Sequence, residues 1–162
     1  MDKPNITIYT DGACTGNPGV GGYGIVLISG EHRKEVSEGF KLTTNNRMEL
    51  LAVIVGLEML RKEGSNVTVY TDSKYVSEAI NQNWIKDWVK KGFKKVKNPD
   101  LWRRFLEIYK KHNVEFIWVK GHSDNIENNR CDFLARQATK SNTLSIDENY
   151  ENPSDEQAKL EF

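Results

Sequence analysis

Two aspartates end closely matching stretches of sequence, and this match is the first feature that points to chemistry. The stretch ITIYTD ends at Asp11, the stretch VTVYTD ends at Asp72, and a small residue follows each. Side chains alternate along a strand, so both aspartates have the same phase relative to their apolar neighbours. If the two strands are parallel neighbours, about 4.8 Å apart, their carboxylates repel each other unless a cation lies between them. The match therefore predicts a divalent-metal site at the carboxyl end of the two strands.

Each acidic residue also has an ordinary structural explanation. Taken singly, Asp11 or Asp72 would more readily begin a turn or cap the next helix, and only the matched pair favours a metal. Glu49 heads the apolar stripe of a predicted helix, where a lone buried carboxylate is costly, but a place in the first helical turn explains it equally well. Asp132 opens the last predicted helix, and an ion pair with Arg136 four residues later is its simplest interpretation.

The remaining reactive side chains narrow the choice of metal. His122 follows the last predicted strand in KGHSD, where a histidine is most often merely exposed, although its pKa range suits proton transfer near neutrality. Oxygen ligands without a thiolate or multi-histidine cluster favour Mg²⁺, with Mn²⁺ as a substitute, over zinc. Cys14 and Cys131 are too few for a disulfide framework, so we expect free thiols in a reducing cytoplasm.

The elements that must position these side chains are a run of strands followed by alternating helices and strands. Strands are predicted at 6–11, 23–28, 36–42, 67–72 and 114–119. Helices are predicted at 45–62, 73–81, 101–111 and 128–139, while the conformation of 84–97 stays open. Short connections make the first three strands an antiparallel meander, and the later alternation predicts a mixed α/β sheet with helices on its faces.

The charge of the chain sums to zero but is segregated along it. The chain of 162 residues suits a single domain, which we place at 1–140. The stretch 84–104 has eight basic and two acidic residues, whereas 141–162 has six acidic residues and one lysine. Such asymmetry predicts a phosphate-binding protrusion at about 84–104. The acidic tail, 141–162, is expected to be loosely ordered or draped over the surface.

The basic stretch also has aromatic side chains between its lysines. Trp84, Trp88 and Phe93 alternate with a lysine set made of Lys90, Lys91, Lys94 and Lys95. Lysines often only solvate a surface, and tryptophans four residues apart often belong to a core. Because basic excess and aromatic residues coincide here, we favour a role in binding nucleic acid.

With these residues in hand, the chain resembles bacterial-type ribonuclease HI. The shared motifs are YTDGA (9–13), GNPG (16–19), GGYG (21–24), TTNNRMEL (43–50), YTDS (70–73), VKGH (119–122) and NRCD (129–132) with LA (134–135). They occur in the family's order over nearly the whole of the predicted domain. The resemblance implies the ribonuclease H-like fold, a five-stranded mixed sheet in which strands 1–3 are antiparallel and strands 4 and 5 are parallel to strand 1.

The resemblance also implies an activity and its residues. Asp11, Glu49, Asp72 and Asp132 would be both catalytic residues and metal ligands, with His122 as a mobile assistant. The implied reaction is endonucleolytic cleavage of the RNA strand of an RNA–DNA hybrid, which leaves 5′-phosphate and 3′-hydroxyl ends. In a two-metal mechanism, ions about 3.5–4 Å apart serve the attacking water and the leaving oxygen.

Hybrid recognition requires groups that sense 2′-hydroxyls in a shallow minor groove, and short polar side chains suffice for this. Asn17, Asn45 and Asn46 are suited to it, and the resemblance places Asn17 and Thr44 in a pocket for a phosphate of the DNA strand. Thr44 and Asn45 are also good helix N-caps, a role compatible with substrate contact.

Other functions and settings stay open at this stage. A DNA-directed enzyme of the same fold would share the sheet and the first carboxylates, but not TTNNRMEL or KGH. A non-catalytic hybrid-binding module would have no need of the complete carboxylate set. No apolar run approaches the roughly 20 residues of a membrane span. Without a signal-peptide pattern, we expect a cytoplasmic monomer with no obligate protein partner.

Overall fold

The computed structural model describes residues 5–121 and 124–153, and these form one sheet with helices packed around it. The strands are β1 (Asn5–Thr15), β2 (Gly19–Ser29), β3 (His32–Thr43), β4 (Asn66–Thr71) and β5 (Asn113–Trp118). The helices are α1 (Asn45–Glu58), α2 (Lys74–Asn81), α3 (Trp84–Lys90), α4 (Pro99–Tyr109), α5 (Ile126–Ala138) and α6 (Glu148–Glu151). No helix of the described residues is both long and apolar enough to cross a membrane.

The five strands have the order β3-β2-β1-β4-β5. β1 is antiparallel to β2 and β2 to β3, whereas β4 pairs in parallel with both β1 and β5. In the register of the parallel pair, Tyr9 lies opposite Tyr70, and the two rings stack with centroids 4.9 Å apart. The predicted mixed sheet, with strands 4 and 5 parallel to strand 1, is confirmed.

Helices cover both faces of the sheet, and β2 shows how closely they approach it. A Cβ atom on Gly21 would lie 3.1 Å from Cγ of Met48 in α1. A Cβ atom on Gly24 would collide with the carbonyl oxygen of Cys131 in α5. Because successive strand residues point to opposite faces, residues of odd and even number in this part of β2 face α1 and α5, respectively.

The core lies mainly between the sheet and α1, which is buried nearly all round. Buried apolar residues of α1, such as Met48 and Ile54, pack with Ile8 and Ile25 of the sheet. Next to them, the fully buried Trp102 of α4 joins a cluster of aromatic rings with the other members Tyr75, Trp88, Phe105, Tyr109 and Phe116. Burial on this scale is the main contribution to the stability of the fold.

Predicted and observed elements differ at several boundaries, and the end of the first helix and the stretch left open have local explanations. The helix predicted at 45–62 ends at Glu58, because the backbone N–H of Leu60 donates to Leu57 in a tighter turn. The open stretch 84–97 is one short helix, α3, followed by turns. Phe93 and Lys95 both have positive φ in these turns, a conformation that a continuous right-handed helix does not allow.

Over 141–153 the acidic tail makes specific contacts with the edge of the sheet. The N–H of Ser145 donates to the carbonyl of Gly39, and the N–H of Lys41 donates to the carbonyl of Ser145. A short helix, α6, follows. These contacts form because the outer edge of β3 has free backbone groups that another segment can satisfy. Residues 154–162 of the predicted tail lie outside the described part of the chain.

Candidate active site

Three acidic side chains from different elements meet at the carboxyl end of the central parallel strands. Asp11 lies in β1, two residues after Tyr9, and Asp72 directly follows β4, two residues after Tyr70. Glu49 lies in the second turn of α1. One carboxylate oxygen of each lies within 4.8 Å of those of the other two. The predicted juxtaposition of Asp11 with Asp72 is therefore present, and Glu49 completes a three-carboxylate cluster.

A glycine permits this meeting of β1 and α1. A Cβ atom on Gly12 would lie 2.6 Å from the backbone nitrogen of Glu49 and 2.8 Å from the carbonyl carbon of Met48. Any larger residue would therefore separate the strand from the helix and move Asp11 away from Glu49. The N–H of Gly12 also donates to Oδ1 of Asp11, at 2.9 Å, which orients that carboxylate.

Burial and mutual repulsion make the carboxylates of this cluster hard to ionise without a cation. Burial raises the pKa of Asp11 to about 8, and the neighbouring charges of Asp72 and Asp132 add to the effect. Burial, followed by the charges of Asp11 and Asp72, also raises the pKa of Glu49 well above its ordinary value. A divalent cation would reverse this preference, because it favours the charged form of each ligand.

The chemistry of the cluster fits a hard divalent cation. Glu49 is only 5% exposed, and its Oε2 is buried without a hydrogen-bond partner among the described residues. A buried carboxylate oxygen in this state is unfavourable unless a cation satisfies it. The three side chains offer only oxygen ligands, which Mg²⁺ and Mn²⁺ prefer. The cluster could therefore hold a metal ion.

The other two predicted catalytic residues, Asp132 and His122, are not part of the three-carboxylate cluster among the described residues. Asp132, in the second turn of α5, accepts a hydrogen bond from Nε of Arg136 at 3.0 Å, the ordinary pairing that its spacing predicts. It is not one of the three clustered carboxylates, although its charge contributes to the raised pKa of Asp11. The side chain of Cys131 donates to the carbonyl of Tyr9 at 3.2 Å and ties this part of α5 to β1. His122 lies outside the described residues.

The polar residues predicted to contact substrate flank the start of α1. Oδ1 of Asn17 accepts a hydrogen bond from the backbone N–H of Asn45 at 3.1 Å, which holds the β1–β2 turn against the helix. Thr44 is the N-cap, and its hydroxyl accepts from the N–H of Arg47. Asn46 is exposed in the first turn. Thr44 therefore caps the helix, whereas the substrate contacts of Asn17, Thr44, Asn45 and Asn46 stay a prediction.

The basic stretch presents its lysines to solvent but buries most of its aromatic residues. Lys90, Lys91, Lys94 and Lys95 are exposed, and Trp84 is 41% exposed. Phe93 is buried, and the ring of Trp88 packs edge-on against Trp102. Phe93 and Trp88 anchor the protrusion to Arg103 and Trp102 of α4, respectively. Trp84 is the most exposed of the three aromatic side chains.

Sequence reasoning missed a buried arginine next to the cluster. Arg47 is fully buried and forms short ion pairs with Asp100 of α4 and Asp147 of the C-terminal segment, both at 2.7 Å. A signal for it existed. The residues from Met48 to Leu57 are largely apolar on every side of the helix, so an arginine directly before them requires buried acidic partners.

An aromatic residue beside Asp72 was also missed. Nε1 of Trp118, at the end of β5, donates to the backbone carbonyl of Asp72 at 3.0 Å. The ammonium group of Lys74 lies over the same indole, 5.2 Å from its centre. The ring is 42% exposed, so it forms part of the surface around the carboxylates. A tryptophan that ends a strand and precedes the KGH loop was the available signal.

Comparison with known proteins agrees with this arrangement. The family model described as RNase H matches residues 3–140. A protein named Ribonuclease H from Syntrophus aciditrophicus is 53% identical over 153 residues, which cover 91% of this chain and 88% of that protein. Its namesake from Rippkaea orientalis is 54% identical over 157 residues, which cover 93% of this chain and 96% of that protein.

Solved structures of similar proteins share the fold. LC9-RNase H1, described as a type 1 RNase H with the type 2 active-site motif, matches with a TM-score of 0.80 and 26% identity over 99% of this chain and 86% of its own. LC11-RNase H1, solved in complex with an RNA/DNA hybrid, matches with a TM-score of 0.62 and 28% identity over 83% of this chain and 96% of its own. The sheet order, the carboxylate cluster and the family match together show that this chain belongs to the ribonuclease H family, a family of nucleases.

Proposed function

We propose that this chain is an endoribonuclease that hydrolyses the RNA strand of RNA–DNA hybrids and leaves 5′-phosphate and 3′-hydroxyl ends. The observation that carries the proposal is the cluster of Asp11, Glu49 and Asp72 with the unpartnered Oε2 of Glu49. The solved complex of LC11-RNase H1 with an RNA/DNA hybrid supports the choice of substrate. The expected ions are two Mg²⁺, for which Mn²⁺ can substitute.

Four carboxylates would hold these ions: Asp11, Glu49, Asp72 and Asp132. Asp11 would serve both ions, Glu49 and Asp72 the ion for the leaving group, and Asp132 the ion for the attacking water. Bound divalent ions supply a Lewis acid for the phosphate and make a water more acidic. His122, which follows β5 in the chain, would carry a proton to or from solvent or assist the departure of product.

The residues at the start of α1 would recognise the hybrid. The backbone N–H of Asn45 at the start of α1 donates to Oδ1 of Asn17 in the β1–β2 turn, so the remaining polar atoms of these two residues form a preorganised surface. Asn46 and Thr44 extend this surface, and Glu49 would accept a hydrogen bond from a 2′-hydroxyl beside the cleaved phosphate. Trp84 and the lysine set (Lys90, Lys91, Lys94 and Lys95) would bind the backbone of the duplex beyond the site.

The deciding experiment presents one labelled RNA strand alone, in an RNA duplex and paired to DNA, with Mg²⁺ and with EDTA. We expect cleavage only of the hybrid and only with Mg²⁺, and mapping of the product ends tests the end chemistry. Metal-dependent cutting of DNA instead would indicate a DNA-directed enzyme on this fold. Binding of the hybrid without cutting would indicate a non-catalytic module.

Substitution Asp11→Asn should abolish hybrid cleavage and leave the fold intact. The amide keeps the shape of the side chain but removes the charge at the centre of the cluster. The measurement is a single-turnover assay with excess purified protein, accompanied by circular dichroism. Retained turnover in the variant would refute the role of Asp11.

The setting proposed for this activity is the cytoplasm, with the chain acting as a monomer and without an obligate protein partner. We place the catalytic unit at 1–140, close to the range that the family model matches. Size-exclusion chromatography with light scattering tests the monomer.

A further inference from the structure

Most of the candidate site residues on α1 fall within one short stretch. We define the β3–α1 junction as residues 43–49, which begins at the end of β3 and contains Thr44, Asn45, Asn46 and Glu49. Thr44 of the candidate phosphate pocket and one ligand of the carboxylate cluster therefore lie within the same seven residues. Whatever fixes this stretch fixes both parts of the site.

Asp147, from the C-terminal segment, bonds to both sides of the β3–α1 junction. One of its oxygens, Oδ2, accepts from the hydroxyl of Thr43 at 2.7 Å and from Nε of Arg47 at 2.7 Å. Its other oxygen accepts from Nη2 of Arg47 at 2.9 Å. Thr43 and Arg47 are fully buried, and Asp147 is 8% exposed. A single buried carboxylate therefore joins the last residue of β3 to the first turn of α1.

The same arginine continues the connection to the basic stretch. Nη1 of Arg47 donates to Oδ1 of Asn98 at 3.2 Å and to Asp100 at 2.9 Å, at the point where the basic stretch joins α4. Removal of one partner from such a buried network leaves a charge without compensation, so the remaining groups must move. Because Arg47 is two residues from Glu49, that movement reaches the carboxylate cluster.

We propose that Asp147 is a positioning residue, which holds the β3–α1 junction in the geometry that metal binding and substrate binding need. The inference rests on the proposed function for its kinetic consequence only. The C-terminal segment would thus support the active site, although none of its residues is proposed to contact metal or substrate. The connection runs through Arg47 to Glu49, and through Thr43 to the cap residue Thr44.

The test uses the full chain with Asp147→Asn, which keeps the shape of the side chain and removes its charge. We expect the affinity of the substrate-free protein for Mg²⁺, measured by calorimetry, to fall by about tenfold, as when a residue that supports a metal ligand is lost. Amide hydrogen exchange at Arg47 and Met48 should accelerate more than exchange in the last turn of α1. With hybrid substrate, kcat/KM should fall by about tenfold or more.

The matched control is Leu57→Ala, which removes a fully buried side chain from the last turn of α1, far along the helix from the β3–α1 junction. It destabilises the same helix, so a merely structural effect would appear in it as well. We expect wild-type Mg²⁺ affinity and kcat/KM for this control when it is assayed below its unfolding transition. If Asp147→Asn does not fold, Thr43→Val removes only the hydroxyl that bonds to Asp147 and takes its place.

The proposal would be overturned if the Asp147 variant kept the wild-type Mg²⁺ affinity and the wild-type amide exchange at the β3–α1 junction. It would also be overturned if Leu57→Ala lost as much Mg²⁺ affinity as the Asp147 variant. The calorimetric and exchange measurements need no cleavage. A wild-type chain that binds Mg²⁺ but does not cut hybrid would therefore refute the proposed function alone, and the positioning role of Asp147 would still be decided.

Discussion

The raised pKa of Asp11 makes the metal-free cluster partly protonated near neutral pH. Burial is the main cause, and the charges of Asp72 and Asp132 add to it. A cation that binds here must therefore displace a proton, which links metal affinity to pH. Such linkage is expected because the fold holds like-charged ligands close together, and either a proton or a metal ion relieves their repulsion.

The affinity for Mg²⁺ should accordingly rise as the pH increases from 6 to 9, through the pKa of Asp11, which is about 8. Below that pKa the proton and the metal compete for the oxygen atoms of Asp11, and the raised pKa of Glu49 adds to this competition. Calorimetry in two buffers of different ionisation enthalpy measures both the affinity and the protons released. A pH-independent affinity without proton release would contradict this assignment.

Asp11→Asn should stabilise the metal-free protein at alkaline pH by about 1–3 kcal/mol. The folded-state pKa of Asp11 is raised, so the penalty for its ionisation is absent below the unfolded value near 4 and fully present above about 8. The gain should therefore appear in EDTA at pH 9 and vanish toward pH 4. Urea unfolding measures it, with the exposed Asp87→Asn as the control. A gain equal at both pH values would exclude this cause.

Among the elements, α5 depends on the absence of a side chain in β2. A Cβ atom on Gly24 would overlap the backbone carbonyl oxygen of Cys131, and the backbone of β2 fixes the Cβ position, so no side-chain rotation relieves the overlap. The helix carries Asp132 one residue later, so its distance from the sheet also sets the position of that carboxylate. Close packing of this kind tolerates added volume poorly.

Gly24→Ala should therefore lower the free energy of unfolding by about 1–3 kcal/mol, the usual cost of overpacking. Chemical denaturation measures the change. Ser37→Ala is the control, because Ser37 pairs with Gly24 across the β2–β3 ladder and is exposed. An unchanged stability of Gly24→Ala would show that α5 can shift away from the sheet at no cost.

The parts of the site that follow from local pattern could be predicted from the sequence. The period-two alternation before Asp11 and Asp72, with a helical crossover between their strands, was enough to place the two carboxylates together. The partners of Arg47 could not be predicted in this way. Asp100 and Asp147 are separated from it by 53 and 100 positions, and no periodicity connects side chains across such distances. Only the packed structure shows which acidic residues neutralise it.

Across the whole molecule the net charge is zero, but basic and acidic side chains are concentrated in different regions. The four members of the lysine set are exposed on a protrusion, which the buried Phe93 and the partly buried Trp88 anchor to α4. The acidic cluster lies elsewhere, at the carboxyl end of the central strands. A duplex can therefore approach through the basic protrusion while metal ions neutralise the negative cluster.

Replacement of Lys90, Lys91, Lys94 and Lys95 by Ala should flatten the salt dependence of hybrid binding. Each phosphate contact contributes roughly 0.9 to the slope of log affinity against log salt concentration, so loss of four contacts should shrink the slope by up to about 3.6. Fluorescence anisotropy in an Asp11→Asn background, in which we expect no cleavage, gives the slope. The control replaces four exposed lysines elsewhere: Lys34, Lys62, Lys111 and Lys140. Equal slopes for the two quadruple variants would refute the role of the protrusion.

The central place of β1 in the sheet has a consequence for the newly made chain. β1 is synthesised before its neighbours on both sides, β2 and β4. Asp11 is therefore synthesised before its partners in the cluster, Glu49 and Asp72. Arg47 can form its ion pair with Asp147 only after Asp147 has emerged from the ribosome. Domains fold during synthesis as their parts become available. A chain still on the ribosome thus lacks the carboxylate cluster until Asp72 has emerged, and it lacks the complete network around Arg47 until Asp147 has emerged as well.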